Sequence, residues 1–272
     1  MSAMPILDWV NDPVDKLRAN YAAERAKITH FSASGVTIDE VAFVSGPGLK
    51  FTPNSLIDGA DILYFHGGGW IVGSPWTHQT LCSWLAKLSG RRVFAAPYVL
   101  APEYQFPAQA DQAIQIANHF MVDRDQIILA GDSAGGAMAL WAAAGVNARQ
   151  KVQALVSLYG AYGGQEGPSH DAHGHGPDGL QTAALRAMYR HLGCEDVTGF
   201  RAKLSKFGAP LLLVAAECDP IVNDNDWLEK NISHPVTRLL AAGQPHAYLQ
   251  SCGNDKAAEA SMQKISDWIN AL

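Results

Sequence analysis

Gly131-Asp132-Ser133-Ala134-Gly135-Gly136 sets one serine among glycines where an apolar run gives way to a helix-forming one. The approach, Gln126-Ile127-Ile128-Leu129-Ala130, has the unbroken apolarity of a central parallel strand. The exit, Ala137-Met138-Ala139-Leu140-Trp141-Ala142-Ala143-Ala144, is strongly helix-forming. Passing from strand to helix within so few residues requires a strained turn, and small neighbours leave room for it. A serine at the apex projects its hydroxyl clear of the sheet, beside a helix N-terminus whose free N–H groups favour developing negative charge. The alternative is an ordinary serine in a glycine-rich turn or a helix cap.

A second motif narrows that choice. Asp61-Ile62-Leu63-Tyr64-Phe65 reads as another buried strand and runs into His66-Gly67-Gly68-Gly69-Trp70. Consecutive glycines let a backbone bend so that its N–H groups point into a cavity. Acyl transfer needs such donors, because a carbonyl oxygen gains a full charge when a serine attacks it. The expected oxyanion hole therefore comprises the N–H groups of Gly68, Gly69 and Ala134. A Walker-type phosphate loop would end in Gly-Lys-Ser/Thr, which is missing here, and no G-x-G-x-x-G follows a strand. His66 reads as structural, its ring tying the loop, with a base as the alternative.

A serine at such an elbow is served, in chain order, by a downstream acid and then a histidine. Pro210-Leu211-Leu212-Leu213-Val214-Ala215-Ala216 is fit for a buried strand and ends in Glu217-Cys218-Asp219-Pro220. A carboxylate just past the C-terminal end of a parallel strand lies at the sheet edge where ligands bind. Asp219 is preferred there over Glu217 and Asp224. Val236-Thr237-Arg238-Leu239-Leu240 makes one more strand, followed by a Gly/Pro-containing loop that carries His246. His191 falls in a helical stretch, His234 precedes a strand at the wrong end, and His170, His173 and His175 sit in a polar insertion. His246 is the preferred base.

The two glycine-rich motifs resemble the signatures of the hormone-sensitive-lipase-like branch of α/β-hydrolase esterases. Pro97-Tyr98-Val99-Leu100-Ala101-Pro102-Glu103 and Phe106-Pro107-Ala108 are similar to that branch's Tyr-Arg-Leu-Ala-Pro-Glu and Phe-Pro-Ala segments. The likeness covers roughly residues 60–250. It implies a mostly parallel central sheet flanked by helices, with a small helical cap. It also implies a serine carboxylesterase acting on a small-molecule ester through an acyl-enzyme on Ser133, with Asp219 and His246 completing the triad. Val99 stands where the branch usually has Arg, so one structural ion pair is expected to be absent. Asp219-Pro220-Ile221-Val222-Asn223-Asp224 matches the usual Asp-x-Leu-x-Asp only loosely, and His246-Ala247-Tyr248 replaces His-Gly-Phe. An arylformamidase or amidase on the same triad is the rival reaction. A non-catalytic small-molecule receptor on the same scaffold is the rival from another class.

Composition agrees with one α/β-hydrolase domain over residues 1–272, with cap elements at about 1–35 and about 161–207. With 48% apolar and 17% charged residues the chain can bury a large core. A formal charge of −6 without any basic run argues against a nucleic-acid partner. The scattered cysteines Cys82, Cys194, Cys218 and Cys252 read as reduced thiols. No signal-like or membrane-spanning run occurs, so a soluble cytoplasmic protein is expected. Oligomeric state is not legible.

Along the chain, Asp12-Pro13 is expected to open a helix, with Asp12 as its cap and Pro13 at the first helical position. A hairpin follows near 37–44 and 49–52, then alternating strands and helices up to 159. The insertion at 161–207 carries Ser169-His170-Asp171-Ala172-His173-Gly174-His175, whose spacing invites a zinc reading. Without a rigid helix behind it, a solvated or gating loop is preferred, and neither metal nor cofactor is expected. Trp70, Trp76, Phe106 and Tyr248 flank the motif loops and are the candidate substrate-pocket residues, favouring short or aromatic acyl esters.

Overall fold

The computed structural model describes residues 7–163, 166–175, 180–194, 201 and 207–272. Parts of both expected cap segments, 1–6 in the first and 164–165, 176–179, 195–200 and 202–206 in the second, lie outside these residues. Strands β1 (Val36–Phe43) and β2 (Gly46–Pro53) form an antiparallel hairpin. They are followed by β3 (Asp61–Phe65), β4 (Val93–Ala96), β5 (Ile127–Asp132), β6 (Val152–Leu158), β7 (Leu211–Cys218) and β8 (Val236–Pro245). These described strands form one sheet in the order β1-β2-β4-β3-β5-β6-β7-β8, in which β3 to β8 are parallel and β2 joins β4 antiparallel.

Alternation along the central strands feeds two cores. Ile127 and Leu129 of β5 enter one, Ile128 and Ala130 the other, as a period of two requires. The first core takes α3 (Ala108–Phe120), α4 (Ala134–Gly145) and α7 (Val222–Asn231). The second takes α2 (Gln79–Ser89) and α8 (Lys256–Asn270). Helix α4 is buried on every side from Ala134 to Ala144, which explains why its sequence is apolar all round.

A third cluster lies above the carboxyl ends of the strands. Leu17 and Tyr21 of α1 (Val14–Ala26) meet Ile71 and Val72 of the triple-glycine loop and Ala184 and Met188 of α6 (Thr182–Leu192). The insertion also holds a short helix, α5 (Pro168–His173), where the sequence pattern suggests only a loop.

Three local expectations need correction. Asp12 does not cap α1: Pro13 holds that position, its carbonyl accepting the Leu17 N–H at 3.0 Å, while Asp12 pairs with Lys16 at 2.7 Å. The periodicity reading assigns no helix at α7 or α8, yet α8 carries a strong cap, Asp255 accepting from the N–H groups of Ala257 and Ala258. His170 and His173 have helix behind them, but among the described residues no group of three metal-ligating side chains could hold an ion. Among those residues, too, no helix is long and apolar enough to cross a membrane.

Candidate active site

Sheet register brings the two glycine-rich motifs together. Phe65, the last residue of β3, pairs with Gly131 of β5, so the loop after β3 and the elbow after β5 emerge side by side. Ser133 sits at the elbow with φ 51° and ψ −120°, a conformation that costs a non-glycine residue on the order of 1–3 kcal/mol. It is held by three backbone bonds: its N–H donates to Leu158 O at 2.9 Å, and its carbonyl accepts from Gly136 and Ala161 at 3.0 Å each. Close approach explains Gly135, where a Cβ would stand 2.0 Å from the Phe65 carbonyl oxygen.

The same logic places Asp219 and His246. Cys218 at the end of β7 pairs with Pro245 at the end of β8, so the next residues, Asp219 and His246, leave the sheet as neighbours. His246 Nδ1 lies 2.6 Å from Asp219 Oδ2, and Nε2 lies 2.9 Å from Ser133 Oγ. Since a carboxylate only accepts, Nδ1 carries the proton and Nε2 is the lone-pair nitrogen facing the hydroxyl. Asp219 is 1% exposed, and its other oxygen accepts the Ile221 N–H at 3.0 Å. The Tyr159 ring packs edge-on to the imidazole, with centroids 5.1 Å apart. Glu217 instead accepts the Gly243 N–H, and Asp224 accepts the Tyr162 N–H.

At the loop after β3, Gly68 and Gly69 take φ 118° and 59°. A Cβ on Gly69 would come within 2.4 Å of Met188 Sδ. Both glycines line the cavity at Ser133, and among the described residues nothing accepts from the N–H groups of Gly68, Gly69 or Ala134. His66 is buried, its Nδ1 2.8 Å from the Gly67 carbonyl and its ring stacked on Tyr98. Burial, then the neighbouring His78, push His66 down to about 3, so it stays neutral.

Asp132 anchors this loop from below, a role the motif reading does not anticipate. Its Oδ1 accepts the Gly67 N–H at 2.8 Å and the Tyr64 hydroxyl at 2.7 Å. Its Oδ2 accepts Gln250 Nε2 at 3.2 Å and lies 3.3 Å from His78 Nε2. Burial alone would raise this carboxyl strongly; His78 and the hydrogen bonds from Tyr64 and Gln250 outweigh it and hold Asp132 well below the usual carboxylate range.

None of the four expected pocket aromatics lines the cavity at Ser133. Trp70 follows the loop with φ 61°, which turns its side chain into the core against Trp141 and Tyr189. Phe106 packs on the other side of Trp141, and Tyr248 is buried against Tyr159. Trp76 is 39% exposed and does not line the cavity. The walls come from remote segments: Leu7 and Trp9 before α1, Tyr21 and Arg25 on it, Leu180 before α6 and Met188 on it. With the motif loops they line a half-open cavity of about 230 Å³. Nothing in the motifs marks these residues, although the apolar stripe Val14, Leu17, Tyr21 identifies α1 as a packed helix.

Comparison with known proteins agrees with this architecture. A family described as having the alpha/beta hydrolase fold matches residues 62–250, and the chain belongs to it, in the hormone-sensitive-lipase-like branch. The chain is 29% identical to the acetyl esterase of Salmonella paratyphi B, the match covering 70% of this chain. It spans only 65% of the length of that curated relative. Among solved structures it is similar to EstE7, a hormone-sensitive-lipase homologue from a metagenome library, at 26% identity and TM-score 0.79, covering 96% of this chain and 94% of that one. An esterase of Pyrobaculum calidifontis shares the fold at 24% identity and TM-score 0.79, with 96% and 94% covered.

Proposed function

We propose that this protein is a serine carboxylesterase that hydrolyses small esters through an acyl-enzyme on Ser133. The observation that carries this reading is the continuous hydrogen-bonded line from Asp219 through His246 to Ser133 Oγ, at 2.6 and 2.9 Å, ending beside three free N–H donors. His246 Nε2 takes the serine proton as Oγ attacks the ester carbonyl, while Asp219 fixes the ring tautomer and stabilises the imidazolium. The oxyanion faces the N–H groups of Gly68, Gly69 and Ala134. The tetrahedral species collapses, the C–O bond to the alcohol breaks, and the alcohol leaves with the proton from His246. Water, deprotonated by the same imidazole, then releases the acid from Ser133.

The segments at about 1–35 and 161–207 act in this reading as a small cap on a single domain, supported by the cavity walls they supply. A cavity of about 230 Å³ is below the range of roughly 300–1,000 Å³ usual for drug-sized ligands. That favours short acyl groups over long lipid chains, as does the likeness to acetyl esterases. Cys82, Cys194, Cys218 and Cys252 are free thiols, which fits a cytoplasmic location.

The test is Ser133→Ala, expected to abolish both p-nitrophenyl acetate hydrolysis and labelling by an organophosphonate. Residual activity or labelling in that variant would sink the assignment. Turnover of N-formylkynurenine measured beside p-nitrophenyl acetate separates an ester from a formamide substrate.

A further inference from the structure

Arg25 stands in the wall of the cavity that holds Ser133 and His246. Among the described residues it forms no ion pair, and its Nε is buried without a hydrogen-bond partner. Its neighbours on α1 are otherwise engaged: Glu24 pairs with Lys27 at 2.6 Å, and Arg18 with Glu103. The guanidinium lies over the Tyr21 ring at 4.9 Å, and Trp9 meets that ring edge-on. The Tyr21 face, itself backed by Trp9, therefore sets its position while leaving its donors unused.

A guanidinium is charged at every working pH, and an unmet buried donor is costly. A place in the last turn of α1 suits a cation by itself, but dipole complementarity acts on a side chain in solvent and does not require it to enter a cavity. The carboxylate sharing that cavity, Asp132, has both oxygens committed to the loop and network beneath it. Asp219 is committed to His246 and Ile221. The unanswered charge in the substrate site is therefore positive. Burial, then the Asp132 charge, hold the Tyr159 phenol well above its ordinary value, with Arg25 the smaller pull in the opposite direction. Tyr159 is the ring packed on His246.

We infer that Arg25 selects the substrate, and that the preferred class is a small ester bearing a carboxylate, which the guanidinium grips while Ser133 attacks the ester carbon. The inference rests on the reading of this cavity as an esterase site. Trp9, Tyr21 and Met188 hold the apolar part, and the charge-assisted bonds to Arg25 fix which way round the molecule lies.

The experiment uses matched pairs differing in one charge. Monomethyl succinate against dimethyl succinate places the carboxylate on the acyl side. O-acetyllactate against its methyl ester, followed by acetate release, places it on the alcohol side. In at least one pair the charged ester should show kcat/KM higher by on the order of tenfold or more. Arg25→Gln should remove that preference, and Arg25→Lys should restore part of it. Binding of monomethyl and dimethyl succinate to the Ser133→Ala protein, by calorimetry, reads the same preference without catalysis. Turnover that favours the neutral ester in both pairs, or a preference that survives Arg25→Gln, overturns the role of Arg25 and leaves the esterase reading standing. No turnover of any ester, with tighter binding of monomethyl succinate that Arg25→Gln abolishes, overturns the esterase reading and supports carboxylate recognition by Arg25.

Discussion

Arg18 of α1 grips Glu103 with both arms of its guanidinium, at 2.7 and 2.6 Å, and the same side chain donates to the carbonyls of Ile71 and Ala101. One residue thus ties the roof helix to the triple-glycine loop and to the Ala-Pro-Glu segment. Val99 offers no charge, and Glu103 is paired from a different element, by Arg18 of α1. The hydrogen bonds from Arg18, with its charge, depress the Glu103 carboxyl to about 2.

This link has a pH signature. A carboxyl lowered on folding stabilises the protein fully above its unfolded value, and that contribution is lost as pH falls toward the folded value. For Glu103 the window therefore runs from about 4.5 down to about 2. Limited proteolysis across α1 should accelerate through that window in the wild type and be fast throughout in Arg18→Ala. Equal cleavage rates in the two proteins at neutral pH would show that Arg18 does not hold the helix. Glu103 is half-exposed, so the loss of global stability should be small.

Asp132→Asn should impair turnover more than binding. The carboxylate is the common acceptor for Gly67, Tyr64 and Gln250, and an amide in its place turns one acceptor into a donor facing other donors. Breaking a buried charged network of this kind costs about 3 kcal/mol. A matching fall in kcat, with little change in KM, is expected because the displaced loop carries Gly68 and Gly69, two of the three proposed oxyanion donors. Urea unfolding and steady-state kinetics check the two halves. A variant with wild-type kcat would show that Gly68 and Gly69 are positioned without Asp132.

Replacing Ser133 should expose the strain at the elbow. Ser133→Gly and Ser133→Ala both remove the proposed nucleophile, but only glycine adopts φ 51° without steric cost. Ser133→Gly should therefore be the more stable of the two by about 1 kcal/mol, despite the greater freedom of its unfolded chain. Comparing their urea midpoints decides it, and equal or reversed midpoints would mean the turn carries no strain.

His66 should contribute to acid sensitivity. Burial lowers it from an ordinary 6.5 to about 3, so the unfolded chain takes up a proton that the folded protein refuses. Its contribution is whole above about pH 6.5 and drains away as pH falls toward about 3. In His66→Asn, Tm should fall less steeply over that interval. A slope identical to wild type would assign the acid transition to other groups.

The strands that carry Ser133 and Asp219 were legible because each is an uninterrupted apolar run ending in a polar punctuation, whereas β8, the half-exposed edge strand before His246, is marked by the Gly/Pro-containing loop that ends it. A strand buried on both faces has no other way to be written. The pocket was not legible, for a different physical reason. Adjacency in sequence says nothing about which way a side chain turns, and the positive φ of Trp70 sends it to Trp141 and away from the substrate. Arg25 and Met188 reach the cavity from helices more than a hundred residues apart in sequence, where periodicity marks a packed face without naming what it packs on. Helix α8 shows the remaining gap: Asp255 is a good cap residue, but in the sequence alone it is not distinguished from any other loop aspartate.

Met188 fills the space that a side chain at Gly69 would occupy, and Leu17 and Tyr21 bear on Ile71 and Val72 just beyond. The surface that admits the ligand is thus mechanically continuous with the bend that must greet a nascent alkoxide. Redrawing that surface to welcome a different guest will also retune how fast the bond is cut, so selectivity and speed here form one trait under mutation.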